Sequence, residues 1–293
     1  AMEELAELYN WMDTFCVPPE QLLLSIIALI PKPDHGERPI GILSFIYRMY
    51  SRLHKIDITE WEGKARTEWD TAIAGNSALQ AALKQMLMDE VAYLGGQTAA
   101  ETYIDIRKFY DNISWFKLIG RAVQKEFPME VLLVGTLIHL APRVVRVNRC
   151  YSDSLQPSSG VVAGDNHAKS FSKTIIYHLM ERMARKHEGA TLRTYFDNVR
   201  VSVRGSKDDV IRKSVDAVND IAVGLTHLGF TIGESDIIAT DKNTAEKMHK
   251  QLKSEGYSIK INTEVKDLGV GAALGRTRPR RSKMNRYKRA QTR

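Results

Sequence analysis

The stretch that most constrains this chain is Thr191 to Arg204. Thr191 to Phe196 reads as a strand of β-branched and aromatic residues. Val199 to Val203 resumes the alternation, with Val199, Val201 and Val203 on one face and Arg200, Ser202 and Arg204 on the other. Two such runs separated by Asp197-Asn198, a pair that tolerates positive φ, predict a tight β-hairpin. An acidic side chain at a hairpin tip is rigidly held and points away from the strands. That suits a metal ligand, and taken alone it is first of all ordinary turn chemistry. A second acidic strand end, in Thr102-Tyr103-Ile104-Asp105-Ile106, gives it a partner.

At 293 residues and 43% apolar content the chain can bury a sizeable core, in one large or two smaller domains. Cys16 and Cys150 stand far apart in no metal-binding spacing, which fits reduced thiols. The longest apolar runs, Leu22 to Ile30 and Val131 to Leu140, are too short to span a bilayer, and the first residues are acidic rather than leader-like. An intracellular protein, nuclear or cytoplasmic and without membrane contact, is expected.

The net charge of +7 is unevenly placed. Residues 276–293 carry nine Lys/Arg and no acids, leaving 33 bases against 35 acids in the rest of the chain. A like-charge block of this density matches a polyanion, and a solvated or targeting tail is its bland counterpart.

Along the chain, apolar Leu22 to Ile30 meets the turn signal Pro31-Lys32-Pro33-Asp34-His35-Gly36. Glu37 to Ile42 returns as a strand that Pro39 confines to an edge. Lys32 and Arg38 would flank that turn, as a phosphate clamp or as two solvated charges. Helices are expected over Ser44–Trp61, from Ser77 to about Tyr93, from Trp115 behind a Ser114 cap, from Pro128 to about Leu140, over His167–Lys186, over Asp208–Leu228 and over Asn243–Glu255. Strands are expected over Arg143–Asn148 and Phe230–Ala239. A closing hairpin is expected from Tyr257–Asn262 and Val265–Val270. Gly160 and Gly164 punctuate a small-residue loop where backbone can approach a ligand closely. The pattern is α+β with a mostly antiparallel sheet flanked by helices.

If the strands ending at Asp105 and Asp197 are neighbours, two carboxylates converge on one point. Such a pair can bridge two divalent ions roughly 3.5–4 Å apart, an arrangement suited to in-line phosphoryl transfer. Oxygen-only ligands favour magnesium or manganese. No P-loop, Gly-x-Gly-x-x-Gly or nucleophile elbow competes for the chemistry.

In motif order, from about Leu22 to Gly275, the chain resembles the fingers and palm of a reverse transcriptase of the non-LTR retrotransposon or group II intron type. Leu29-Ile30-Pro31-Lys32-Pro33 with Gly36-Glu37-Arg38-Pro39-Ile40 resembles the fingers hairpin that holds the nucleotide's phosphates. Asp105-Ile106-Arg107-Lys108-Phe109-Tyr110-Asp111-Asn112-Ile113 resembles the first catalytic motif. The resemblance makes Asp105 a metal ligand, Ile106 a carbonyl ligand and Tyr110 the aromatic gate against a 2′-hydroxyl. Gly160 to Leu179, with Gly164, looks like the loop and helix that support template and nucleotide. Tyr195-Phe196-Asp197-Asn198 stands for the tyrosine-x-aspartate-aspartate box, Leu228 to Ile232 for the next palm motif, and Asp267 to Val270 for the primer grip.

The departures are specific. Asn198 replaces the second aspartate, supplying an amide oxygen without charge. Ala163 takes the place of a glutamine and Lys173 that of an asparagine. A lysine expected after the palm motif is missing where Ser235 and Asp236 stand.

The resemblance implies a polymerase right hand with its thumb largely absent: residues 1–100 as N-terminal segment and fingers, 101–275 as palm, 276–293 as basic tail. It implies an RNA-directed DNA polymerase that adds dNTPs to a primer 3′-hydroxyl with two Mg2+ or Mn2+ ions, an RNA template with its primer duplex, and other subunits or domains to supply the thumb. The alternatives are a catalytically weakened, maturase-like RNA-binding scaffold, which Asn198 favours, and an RNA-directed RNA polymerase. The spacing Asp105–Asp111 behind Tyr110 sets the last of these apart.

Overall fold

The computed structural model describes residues 2–31, 36–72, 77–267, 270–275 and 284. In order the elements are α1 (Met2–Phe15), β1 (Ser25–Pro31), β2 (Glu37–Ile42), α2 (Phe45–Leu53), α3 (Lys55–Lys64), α4 (Ala78–Leu94), β3 (Thr98–Arg107), α5 (Trp115–Gln124), α6 (Met129–Leu140), β4 (Arg143–Val147), β5 (Cys150–Tyr151) and α7 (Ala168–Lys186). There follow β6 (Ala190–Tyr195), β7 (Asn198–Gly205), α8 (Lys207–Leu228), β8 (Thr231–Ile232), β9 (Ser235–Ala239), α9 (Lys242–Ser254), β10 (Ile259–Ile261), β11 (Val265–Asp267) and β12 (Val270–Ala272).

The boundaries follow local chemistry. Ser77 and Gln80 form a capping box on α4: the Ser77 hydroxyl accepts from the Gln80 N–H at 3.0 Å, and the Gln80 side chain accepts from the Ser77 N–H at 3.1 Å. Ser114, Ser206 and Asp241 cap α5, α8 and α9 in the same sense. Gly229, with φ of 93°, ends α8 in the left-handed conformation.

The chain divides into two compact units, residues 1–66 with 108–177, and residues 67–107 with 178–293. The first holds a sheet of order β2-β1-β4-β5, with Pro39 on its edge strand. Tyr9, Met12, Leu43, Tyr47, Tyr50 and Ile138 form its core.

The second unit holds the larger sheet, of order β10-β9-β3-β7-β6. Its pairings are antiparallel except β10 with β9. Val199, Val201 and Val203 of β7 are buried, and α8 packs on β3 and β7 with Val210, Val218, Ile221 and Leu225 buried.

Three expected elements differ. The single helix expected over Ser44–Trp61 is two, α2 and α3, separated at His54. Phe230–Ala239 is broken into β8 and β9 at Gly233, whose N–H donates to the Asp105 carbonyl at 2.7 Å. Residues 259–261 pair in parallel with β9 because α9 crosses over between them, so the terminal hairpin is β11–β12 instead.

The opposite face of β7 was expected to be polar and is polar, yet it is buried under α4. Arg200 donates to both Glu101 oxygens at 2.7 and 2.8 Å, and the Tyr103 hydroxyl donates to Glu101 at 2.6 Å. Gln85 of α4 donates to Ser202 at 2.6 Å, and Arg204 donates to Asp89 of α4 at 2.8 Å. The helix is therefore inverted. Gln85 and Asp89 face the sheet, while Leu79, Leu83, Leu87 and Val91, four apart, are 53%, 45%, 65% and 68% exposed.

Burial, and then the neighbouring Glu101 charge, push the Asp89 carboxyl up to about 7 against the pull of Arg204. Between the ordinary carboxylate value near 4 and this raised value, the folded state holds a proton that the unfolded chain has lost. The contribution of Asp89 to stability is thus full below about pH 4 and falls as pH rises to about 7. Asp89→Asn should remove that slope. Urea unfolding of both proteins across the window measures it, and parallel pH curves would contradict this assignment.

Candidate functional site

The β6–β7 hairpin closes with Tyr195 paired to Asn198, so its two-residue loop is Phe196-Asp197. The expected loop, Asp197-Asn198, is corrected by one position. Phe196 takes a φ of 56°, a costly backbone for an aromatic residue, and this places Asp197 at the tip. The Asn198 amide donates to Asp197 Oδ1 at 3.1 Å.

On the other flank, β3 and β7 are antiparallel neighbours with Asp105 opposite Asn198. The two acidic strand ends therefore meet. Burial raises the Asp105 carboxyl above its ordinary value, and the charges of Asp197 and Asp236 raise it further. Ile106, next in the strand, is buried and pairs with Ile232 of β8.

Two residues of this site were not singled out from sequence. An ideal Cβ at Gly233 would lie 2.2 Å from Asp105 Oδ2, so only glycine there leaves the carboxylate its place. Asp236 of β9 stands opposite Tyr103 of β3 and accepts from the Asn262 amide at 2.5 Å. Burial raises its carboxyl, while Asn262 and Lys260 act in the other direction. Lys260 also pairs with Glu234. The alternation Glu234, Asp236 in a predicted strand was the available signal. Tyr103, Asp105, Tyr195, Asn198, Glu234 and Asp236 line a concavity of about 230 Å3 on this face.

Of the remaining expected residues, Arg38, Gly164 and Tyr110 belong to the first unit. Arg38 sits on β2 opposite Ile30, exposed. Lys32 lies outside the described residues. Gly164, φ 114°, is folded against the end of β2, where an ideal Cβ would meet the Gly41 carbonyl oxygen at 2.8 Å. The Gly41 N–H donates to the Ala163 carbonyl at 2.8 Å. Tyr110 opens a short 3-10 turn over Tyr110–Asn112.

The donors gathered around Asp105 are oxygens, the set that hard divalent cations take. Among the described residues no three His, Cys, Asp or Glu side chains stand close enough to hold an ion unaided. Also among the described residues, no helix is long and apolar enough to cross a membrane.

The profile of the reverse transcriptase (RNA-dependent DNA polymerase) family matches residues 30–235, and the chain belongs to that family. No curated protein matches it. Solved structures with the same fold include apo telomerase from Candida tropicalis truncated of its C-terminal domain, at TM-score 0.60 and 14% identity, covering 92% of this chain and 58% of that one. Apo telomerase from the same organism aligns at TM-score 0.58 and 14% identity, over 92% and 50%. The Candida tropicalis telomerase in complex with a TWJ fragment of telomeric RNA aligns at TM-score 0.56 and 14% identity, over 82% and 45%. The chain thus spans about half the length of these structures, and its fold is that of polymerase fingers and palm.

Replacing a charge that faces Asp105 should relax its carboxyl toward the ordinary value. Asp197→Asn and Asp236→Asn are each expected to lower the Asp105 pKa in a carboxyl 13C NMR titration. An unchanged titration in both variants would contradict the proximity described above.

Proposed function

We propose that the chain is the polymerising core of an RNA-directed DNA polymerase, extending a primer 3′-hydroxyl with dNTPs on an RNA template. The observation that carries this reading is the β3–β7 register, which sets Asp105 beside the hairpin tip that bears Asp197. In this reading residues 1–100 include the fingers, 101–275 form the palm, and 276–293 are a basic arm for the duplex. Asp105, Asp197 and the Ile106 carbonyl would hold Mg2+ or Mn2+, two ions as in the family to which the chain belongs. Carboxylates of this kind take such ions together with substrate phosphates. The bound ions supply activation of the attacking hydroxyl and neutralisation of the pyrophosphate leaving group.

The chain's own residues do the positioning. Gly233 leaves room for the Asp105 carboxylate and ties its backbone through the 2.7 Å hydrogen bond. The Asn198 amide orients Asp197 without adding a charge. Arg38 and Lys32 would meet the nucleotide's phosphates, Gly164 would back the template and nucleotide, and Tyr110 would exclude a 2′-hydroxyl. The telomerase solved with a telomeric RNA fragment supports an RNA partner. Other subunits or domains would supply a thumb, and an origin in a retroelement fits the motif order.

Asn198 also favours a second reading, a weakened or inactive RNA-binding scaffold, because it removes one charge from the box. Primer extension on RNA and DNA templates, with dNTPs or rNTPs and with magnesium or manganese, separates the readings. Asp105→Asn and Asp197→Asn should each slow extension by about 10²–10³-fold. Asn198→Asp should raise the rate or lower the metal concentration required. A wild type that uses only rNTPs would make it an RNA-directed RNA polymerase, and inert wild type and Asn198→Asp together would favour the scaffold.

A further inference from the structure

His139 is fully buried in the last turn of α6. Its Nδ1 accepts from the Val162 N–H at 3.2 Å, which requires that nitrogen to be unprotonated. The neutral ring then carries its proton on Nε2, which stands 2.9 Å from Asp165 Oδ2. The Asp165 side chain is 1% exposed, and the Tyr47 hydroxyl donates to the same oxygen at 3.2 Å. Burial raises the Asp165 carboxyl, but its contacts with His139 and His167 outweigh burial and hold it below the usual carboxylate range.

The residues that His139 holds are in turn bonded to the turn carrying Tyr110. The Val161 N–H, one residue from Val162, donates to the Tyr110 carbonyl at 2.8 Å. The Gly160 N–H donates to the Ile113 carbonyl at 2.9 Å, and the Ser159 hydroxyl to the Asp111 carbonyl at 2.8 Å. Arg143 joins the two ends of the link, donating to the His139 carbonyl at 3.1 Å and to the Gly160 carbonyl at 3.2 Å. Trp115 donates to the Gly160 carbonyl as well, at 2.9 Å. The fit leaves no slack: an ideal Cβ at Gly160 would stand 2.7 Å from the Asp111 carbonyl oxygen.

We infer that His139, acting with Asp165, is a positioning residue for sugar discrimination, bracing residues 159–162 and through them the backbone of the Tyr110 turn. The inference rests on the reading of Tyr110 as the gate against a 2′-hydroxyl. A gate that works by bulk is only as selective as its position is fixed. Without the imidazole, the Val162 N–H and the Asp165 carboxylate are left buried with fewer partners, and the segment shifts to recover them. A misplacement of about 1 Å near reacting groups is worth up to about 10²-fold in rate, so a smaller shift suffices to alter selectivity.

The test is the ratio of dNTP to rNTP incorporation in primer extension by wild type, Tyr110→Ala, His139→Leu and His139→Gln, with thermal melting of each. His139→Leu should lower the ratio about tenfold, chiefly by admitting rNTPs. His139→Gln, whose amide both accepts and donates, should restore most of it. If His139→Leu fails to fold, Tyr47→Phe, which removes one donor to Asp165 and keeps the ring, should lower the ratio to a lesser degree. A ratio unmoved by Tyr110→Ala would overturn the gate and the inference with it. A ratio that falls in Tyr110→Ala but stays at the wild-type value in His139→Leu, or in Tyr47→Phe where that variant carries the test, would overturn the inference alone.

Discussion

Everything at the candidate site depends on the antiparallel pairing of β3 with β7. Its register, Ile104 with Val199 and Asp105 with Asn198, fixes which side chains share a face. A slip of one residue would turn Asp105 into the packing against α8 and bring Ile104 out to the site. Valines on the buried face of β7 oppose such a slip by their apolar burial. The ion pair of Arg200 with Glu101 opposes it on the other face, because it would be broken in a buried place.

A sheet face of Glu101, Arg200, Ser202 and Arg204 is costly to bury unless its groups are paired. Gln85 and Asp89 of α4 complete the pairing, and the helix turns its leucines outward to do so. The result is a directional, hydrogen-bonded floor beneath the strand ends that carry Asp105 and Asp197.

The elements with a local signal were legible in the sequence. The alternating valines, the Ser77 and Ser114 caps and the Pro39 edge strand each state their structure within a few residues, and the order of motifs led to the family. What escaped depended on contacts distant in sequence. Nothing local marks Phe196 for a φ of 56°, and so the hairpin loop was placed one residue late. The break at Gly233 answers to Asp105, more than a hundred residues earlier. The parallel return of β10 is imposed by α9, and Asp236 joined the site only through the β3–β9 register. The burial of Arg200 was hidden because alternation gives a polar face without saying whether water or another helix covers it.

The central claim is that Asp105 and Asp197 act together on one divalent ion in the presence of nucleotide. The most direct measurement is Mn2+ binding followed by electron paramagnetic resonance, with dNTP present, in wild type, Asp105→Asn, Asp197→Asn and Asp111→Asn. The account predicts affinity lowered by about tenfold or more in the first two variants, as expected when a hard cation loses a charged oxygen donor, and a wild-type value for Asp111→Asn. Equal affinity in all four proteins would contradict it.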